Sequence, residues 1–144
     1  MFGFYRIAAA VPKLRVADPA FNTQEILRCA EEACREGAEI AVFPELCISG
    51  YTCGDLFHQS LLLSASWESL LEIAESMKHS SILMALGLPV HFRSKLYNCA
   101  AMVYRGKILS LTPKIFLPNQ REFYEKRHFS SGTDILNRAV YTGS

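Results

Sequence analysis

Apolar runs and amphipathic segments alternate along the first part of the chain. Residues 5–11 and 40–43 are short apolar runs, each followed by a proline, which is typical of buried strands. Between them, apolar residues recur every three or four positions, which predicts a helix that begins near Asp18 and ends at Gly37. Residues 61–78 carry a second pattern of this kind. The apolar positions of the first helix are Ile26, Cys29, Ala30, Ala33 and Cys34.

The pattern then changes to consecutive strands. Residues 82–90 form a third apolar run, which we expect to close at Pro89. Residues 98–104 and 107–111 flank Arg105-Gly106, which is typical of a tight β-hairpin turn. This order predicts an α/β domain in which helices cover a mixed sheet, with one face of the sheet left uncovered.

Composition and charge exclude several classes of protein. The chain has 144 residues, 50% hydrophobic and 20% charged, which suits roughly one globular domain with its own core. The formal net charge is +1, from 15 Lys and Arg against 14 Asp and Glu, which argues against nucleic-acid binding. No apolar run approaches the roughly 18 residues of a membrane span, and the N-terminus lacks a secretory pattern. We therefore expect a cytoplasmic protein that does not contact a membrane.

The cysteines and histidines follow no metal-binding pattern. The five cysteines are an odd number, and no two are spaced Cys-x-x-Cys. The four histidines are scattered along the chain. We expect free thiols in a reducing compartment and no metal site.

Two ionisable residues stand where predicted strands end. Glu45 follows the strand at residues 40–43, and Lys114 follows the strand at residues 107–111. Ligands of open α/β sheets bind at such carboxyl ends, where an acid and an amine are expected to pair or to have shifted pKa values. The pattern alone also allows two ordinary surface charges.

The segment that follows, residues 116–132, is polar and aromatic, and it is long enough to predict a functional loop.

These positions lie in local sequences that resemble the nitrilase (carbon–nitrogen hydrolase) superfamily. Residues 50–57, 121–125 and 127–129 further resemble the glutamine amidotransferase domain of glutamine-dependent NAD⁺ synthetases. The resemblance implies amide hydrolysis by a Glu, a Lys and a Cys on a four-layer α-β-β-α sandwich, of which this chain would be the N-terminal half. The superfamily's own signatures are Phe43-Pro44-Glu45-Leu46, Ser49-Gly50-Tyr51, and Pro113-Lys114 running into Phe116-Leu117-Pro118-Asn119.

The resemblance assigns catalytic functions to three residues. Glu45 matches the general base that takes a proton from the attacking thiol and later from water, a function typically worth ~10²–10⁴ in rate. Lys114 matches the cation beside the developing oxyanion, where losing one donor costs on the order of 10²–10³. Glu125 matches a second carboxylate that keeps the lysine charged and oriented.

Three further positions correspond to the family's substrate pocket. Tyr51 and Phe123 match residues that line the glutamine pocket. Gln120 stands where the family commonly has an aromatic residue that helps to hold glutamine. The resemblance thus implies a glutamine site that differs at Gln120.

The nucleophilic cysteine of the family lies after the lysine, whereas all five cysteines here precede Lys114. We therefore expect residues 1–144 to be a partial glutaminase domain, with no second domain, that is inactive alone. Cys47 and Cys53 lie within a few residues of Glu45 and stay alternative nucleophiles. No glycine-rich phosphate loop is present, so no cofactor is expected in this domain; ATP and Mg would belong to an absent synthetase domain.

Three hypotheses for function follow. The first is hydrolysis of glutamine to supply ammonia for the ATP-dependent amidation of deamido-NAD⁺ to NAD⁺, with the synthetase domain of the full-length chain as partner. The second is a stand-alone amidase of the same superfamily, such as an ω-amidase or N-carbamoyl hydrolase. The third is a non-catalytic assembly module. An uncovered apolar sheet face predicts a homo-oligomer.

Overall fold

The computed structural model describes residues 3–120 and 123–135, apart from the side chains of residues 119, 120, 123, 124 and 134. Its body is a five-stranded sheet with two helices packed on one face. A pair of two-residue strands lies in the loop that follows the sheet. In chain order the elements are β1 (Ile7–Ala9), α1 (Pro19–Arg35), β2 (Ile40–Val42), α2 (Ser60–Ser76), β3 (Leu83–Phe92), β4 (Lys95–Tyr104), β5 (Lys107–Pro113), β6 (Asn119–Gln120) and β7 (Phe123–Tyr124).

The main sheet is mixed, as predicted, and its strands follow the order β1-β2-β3-β4-β5. The first three strands are parallel, and β3, β4 and β5 are antiparallel neighbours. Two successive reversals make β5 run in the same direction as β2. The carboxyl ends of β2 and β5 therefore reach the same edge of the sheet, although they lie far apart in sequence.

Both predicted helices are present, and the ends of α1 have the expected chemistry. The Asp18 side chain accepts a hydrogen bond from the Phe21 N–H at 3.1 Å, which caps the N-terminus. Gly37 follows the helix with φ of +80°, in the left-handed region that glycine adopts most easily. The second helix spans Ser60–Ser76, close to the predicted residues 61–78.

Two tight hairpins join the antiparallel strands. Arg105 and Gly106 both have positive φ, as a type I′ turn requires, so the predicted hairpin is confirmed. Arg93 and Ser94 form the other turn, also with positive φ. This second hairpin is not predicted from the sequence, because neither residue is the glycine or asparagine that usually marks such a turn.

The prediction that the third strand closes at Pro89 is wrong, since β3 continues to Phe92. Pro89 pairs with Asn98 of β4, and the Asn98 carbonyl instead accepts the N–H of Lys114, just after β5, at 2.8 Å. The Pro89–Asn98 pair is therefore one without ladder hydrogen bonds, where a missing N–H costs nothing. On its other side β3 pairs with β2 only over Leu83–Ala85, so no neighbour needs that N–H.

The hydrophobic core lies between the helices and one face of the sheet. Ile26 of α1 and Ile73 of α2 are fully buried against Ala41, Leu86 and Val103 of the strands. None of the helices in the described part of the chain is long and apolar enough to cross a membrane.

The opposite face of the sheet, here called the open face, has no layer over it among the described residues. The first apolar run is therefore not a buried strand as predicted: β1 covers only Ile7–Ala9, and Ile7 is 60% exposed because it faces this side. Val42 on β2 is 45% exposed for the same reason. The open face carries Ile7, Ala9, Ile40, Val42, Leu83, Ala85, Ala100, Met102, Ser110 and Thr112.

Candidate active site

Glu45 is placed by a turn that crosses over the sheet. Beyond β2, the backbone from Pro44 to Leu46 passes directly above Gly87 of β3. A Cβ at Gly87 would lie 2.3 Å from the Leu46 nitrogen, so only glycine permits this approach. The Ile48 N–H donates to the Gly87 carbonyl at 3.1 Å and holds the turn in place. Glu45 is thereby carried from β2 towards β4 and β5.

Lys114 is held by backbone bonds on both sides of the chain. Its N–H donates to the Asn98 carbonyl at 2.8 Å, and its own carbonyl accepts the Gly132 N–H at 2.8 Å. A Cβ at Gly132 would lie 2.8 Å from the Pro113 carbonyl oxygen, which explains why glycine occupies that position. The chain at Lys114, where the loop after β5 begins, is therefore fixed between β4 and residue 132.

The Lys114 ammonium lies between two carboxylates. Its Nζ is 2.7 Å from Oε1 of Glu45 and 2.9 Å from Oε1 of Glu125. Partial burial alone would lower the pKa of Lys114, but hydrogen bonds and charge attraction from Glu45 and Glu125 outweigh it, and the pKa is raised. The lysine is therefore a cation at neutral pH, and the contact expected between Glu45 and Lys114 is present.

Tyr51 joins this group through Glu125. Its hydroxyl donates to Glu125 Oε1 at 2.9 Å, so one carboxylate oxygen accepts from both Tyr51 and Lys114. Burial raises the pKa of Tyr51, and the neighbouring Glu125 raises it further, so the side chain is a neutral phenol that can donate. Glu125 is 5% exposed, and its Oε2 has no hydrogen-bond partner among the described residues.

The loop that carries Glu125 is anchored at several points. The Glu125 N–H donates to the Pro118 carbonyl at 3.1 Å, and the Ser130 N–H donates to the Leu96 carbonyl at 2.7 Å. Phe129 packs edge-on against Phe57, with ring centroids 4.8 Å apart. The predicted functional loop is thus attached to the turn that carries Tyr51. Their shared apolar cluster consists of Leu46, Cys53, Phe57, Leu62, Leu96 and Phe129.

Two depressions flank the charged group. One, of about 370 Å³, lies on the open face and reaches Glu45 and Lys114. The other, of about 250 Å³, lies on the side of Glu125 and Tyr51. The second depression is lined by Leu46, Tyr51, Thr52, Gly54, Phe57, Glu125, Arg127, His128 and Phe129.

The structure brings together four of the six predicted site residues, namely Glu45, Lys114, Glu125 and Tyr51. Gln120 and Phe123 pair with each other in the β6–β7 ladder, but their side chains lie outside the described part of the chain. Their predicted place in a substrate pocket therefore stays a prediction, as do the catalytic functions of Glu45, Lys114 and Glu125 and the substrate contact of Tyr51.

The two alternative nucleophiles pack as buried thiols. Cys47 is fully buried, burial raises its pKa to about 11, and its Sγ donates to the Gly87 carbonyl. Burial also raises the pKa of Cys53, whose Sγ donates to the carbonyls of Ser49 and Gly50. Raised thiol pKa values disfavour the thiolate that a nucleophile needs.

Two of the four histidines, His58 and His128, face each other. His58 Nε2 and His128 Nδ1 are 3.1 Å apart, and partial burial lowers the pKa of His128. Across residues 3–120 and 123–135, no cluster of three His, Cys, Asp or Glu side chains could hold an ion.

Sequence reasoning missed Asn98, whose side-chain amide donates to Glu45 Oε1. The available signal was a buried-strand pattern, Leu96 to Ala101, interrupted by one amide side chain. Gly87 was also missed. Its signal was an isolated glycine within a strand, which indicates close approach of another backbone.

Comparison with known proteins places the chain in a family. Residues 6–142 match the profile of the carbon-nitrogen hydrolase family, and the chain belongs to that family. It is 38% identical over 132 residues to the glutamine-dependent NAD(+) synthetase of Mycobacterium leprae (strain TN), which covers 92% of this chain and 19% of the relative.

Solved structures agree with this placement. The fold matches the crystal structure of a glutamine-dependent NAD(+) synthetase from Cytophaga hutchinsonii with a TM-score of 0.84 and 36% identity, covering 88% of this chain and 22% of that chain. It also matches the NitN amidase from Nesterenkonia sp. AN1, with a TM-score of 0.74 and 25% identity, covering 89% of this chain and 49% of that chain. The predicted family is confirmed, and the chain is homologous to the N-terminal glutamine amidotransferase domain of glutamine-dependent NAD⁺ synthetases.

Proposed function

We propose that this chain is the first part of a glutaminase domain whose complete protein uses the ammonia to amidate deamido-NAD⁺ to NAD⁺. The observation that carries the proposal is the Lys114 ammonium, 2.7 Å from Glu45 and 2.9 Å from Glu125. Further support comes from the relatives named glutamine-dependent NAD(+) synthetase, although the chain spans only about 19% of the length of the Mycobacterium leprae relative. ATP and Mg would act in the synthetase domain alone.

The proposed chemistry converts glutamine and water into glutamate and ammonia. Glu45 accepts the proton of a cysteine thiol, and the thiolate attacks the side-chain amide carbon. Lys114 stabilises the negative charge that forms on the amide oxygen. The C–N bond breaks, ammonia leaves with the transferred proton, and a thioester remains. Glu45 then takes a proton from water, which attacks the thioester and releases glutamate and the thiol.

Glu125 and Tyr51 support this chemistry from the other side of the lysine. Glu125 holds Lys114 as an oriented cation, and the Tyr51 phenol holds Glu125 through a hydrogen bond of 2.9 Å. We assign the depression on the Tyr51 side to glutamine, with Phe123 and Gln120 completing the pocket. An apolar wall and a few fixed polar groups are usual for such small-molecule sites.

The nucleophile would come from a residue beyond this chain, because every cysteine precedes Lys114 and the thiols of Cys47 and Cys53 are buried. Residues 1–144 alone are therefore expected to release no ammonia from glutamine, since losing one member of a cooperating catalytic group removes most of its activity. A coupled ammonia assay on the isolated chain measures this directly. Turnover above background would show that one of its own cysteines is the nucleophile.

The main test is Glu45→Gln in the complete reading frame that contains this sequence. We expect glutamine-driven NAD⁺ synthesis to fall by about 10²-fold or more, because the general base is lost. Synthesis from free ammonia should be unchanged, since that route bypasses amide hydrolysis. Glu72→Gln, on the exposed side of α2, is the matched control and should alter neither rate. Equal loss of both activities in Glu45→Gln would contradict the proposal.

A stand-alone amidase is the second candidate, favoured by the match to the NitN amidase, of which the chain covers 49%. In that case the complete protein would release ammonia from amides without ATP, and deamido-NAD⁺ would not be consumed. Measuring ammonia and NAD⁺ in the same reaction distinguishes the two candidates.

A further inference from the structure

We infer that Asn98 is a positioning residue that fixes the catalytic Glu45 relative to Lys114. The inference rests on the proposed function for the identity of the base, but its geometric part can be tested independently. It assigns a function to a strand residue that lies between the two loops of the site and belongs to neither.

Asn98 occupies a position where an amide is otherwise unfavourable. It lies in the middle of β4, within an apolar stretch, and is 3% exposed. Burying an amide costs free energy unless its hydrogen bonds are satisfied. Asn98 is two positions from Ala100, so both side chains face the open side of the sheet, where the Glu45 turn crosses Gly87.

Asn98 contacts both Glu45 and Lys114. The Asn98 side-chain amide donates to Glu45 Oε1, and the Asn98 backbone carbonyl accepts the Lys114 N–H at 2.8 Å. Glu45 follows β2 and Lys114 follows β5, with β3 and β4 between them. Asn98 on β4 therefore sets the position of the acid and of the amine from a rigid, central strand.

The bond from Asn98 also orients the carboxylate. Oε1 of Glu45 accepts from both Asn98 and Lys114, while no residue in the described ranges donates to Oε2. With two donors on one oxygen, the carboxylate plane is fixed and Oε2 is left to receive the proton. Without Asn98, a 41% exposed side chain would be held by a single bond from a lysine. Rotation of the carboxylate would then take Oε2 away from the reacting atoms.

The test uses Asn98→Leu, which keeps the branched shape and the number of heavy side-chain atoms but removes the donor, and Asn98→Ser, whose hydroxyl is too short to reach Glu45. Both are made in the complete reading frame, with Ile73→Val as a control that loosens the core without touching the site. We expect kcat for glutamine to fall about 10²-fold in either Asn98 variant, with KM little changed, because misplacing a catalytic group affects the chemical step. Ile73→Val should keep kcat within about twofold at a comparable loss of thermal stability.

The geometric readout is a crystal structure of each variant. We expect the Glu45 carboxylate to leave its position 2.7 Å from Lys114, or to occupy two positions, only in the Asn98 variants. An unmoved carboxylate would overturn the inference, whatever the activity. Equal loss of kcat in Ile73→Val and Asn98→Leu would also overturn it, as would failure of both Asn98 variants to fold, since Asn98 would then be a structural residue. If the wild-type protein has no glutaminase activity, the proposed function fails, and the crystal structures still decide whether Asn98 positions Glu45.

Discussion

At the residue scale, the site depends on one cation, Lys114, that is shared by two carboxylates, Glu45 and Glu125. Glu125 is almost fully buried, and a buried carboxylate is stable only when it is paired and hydrogen-bonded. Lys114 and Tyr51 supply those bonds to one of its oxygens. Removing the lysine would leave Glu125 with the phenol alone and place it near the like charge of Glu45. The same contacts that would prepare the site for catalysis thus hold the loop in place.

Lys114→Met tests this coupling. We expect it to lower the free energy of unfolding by about 1–3 kcal/mol at neutral pH, because the carboxylates lose their cation. The pKa of Lys114 is raised in the folded protein, so its stabilising effect is fully present below the ordinary value of 10.5 and is lost as the pH rises through the raised value. Urea unfolding at neutral pH and above pH 10.5 should show the difference between wild type and variant shrinking. Lys78→Met, which removes an exposed ion pair with Glu75, should change stability by less than about 0.5 kcal/mol.

The sequence was informative about some of these residues and silent about others. The sequence could place Glu45 and Lys114 at the edge of the sheet, because a charge that directly follows an apolar strand lies at the carboxyl end of that strand. The bond between Tyr51 and Glu125 links positions 74 residues apart through two irregular loops, which no local pattern encodes. Only the family resemblance indicated those two residues, and nothing indicated that Asn98 contacts Glu45.

At the element scale, the site requires a turn that crosses a strand. Neighbouring strands lie about 4.8 Å apart, so a residue that follows β2 reaches β5 only if its backbone leaves the edge of the sheet and passes over β3. Gly87 provides the space for that crossing, since the Leu46 nitrogen and Pro44 carbonyl occupy the volume of a Cβ. The position of Glu45 is thus set by a residue on another strand.

Gly87→Ala is expected to displace the Glu45 turn. The new Cβ would meet the Leu46 nitrogen at 2.3 Å, and a backbone neighbour cannot move aside without breaking its own bonds. Overpacking of this kind costs about 1–3 kcal/mol, and urea unfolding measures it. Ala100→Ser adds one atom to the paired position on β4, where the side chain is exposed, and should change stability by less than about 0.5 kcal/mol. Similar losses in both variants would mean that the turn does not depend on Gly87.

Elements with local signals were predicted well, and those defined by their neighbours were not. The first helix has a capping aspartate and a terminal glycine, so both of its ends could be placed. The turn at Arg93 and Ser94 adopts positive φ without a favourable residue, because nine residue pairs between β3 and β4, from Met84–Val103 to Phe92–Lys95, impose it. Pro89 is tolerated within β3 only because the ladder leaves its N–H position unused, which the sequence does not reveal.

At the scale of the whole molecule, the fold presents one covered and one uncovered sheet face. The order of strands and helices was sufficient to predict a mixed α/β sheet, because strands joined through helices run parallel and strands joined by a tight hairpin run antiparallel. It was also sufficient to predict an uncovered face, because only two helices accompany the five strands. What the pattern could not show is that the acid and the amine lie at the rim of this face, in the depression lined by Gly87, Asn98 and Ala100. That position depends on the direction of β5, and therefore on the unpredicted hairpin between β3 and β4.

The open face should make the isolated chain associate. Contiguous exposed apolar surface of this kind favours self-association and binds apolar dyes. We expect residues 1–144 to enhance the fluorescence of such a dye and to scatter light as more than a monomer, and Val42→Lys, on the open face at the end of β2, to reduce both effects. Leu61→Lys is the matched control, because Leu61 is 78% exposed on α2, away from the open face. If the two substitutions reduce dye binding and apparent mass equally, the association is a property of general surface hydrophobicity rather than of the open face. A selective effect of Val42→Lys would instead show that the isolated chain associates and binds dye through the open face, which borders Glu45 and Lys114.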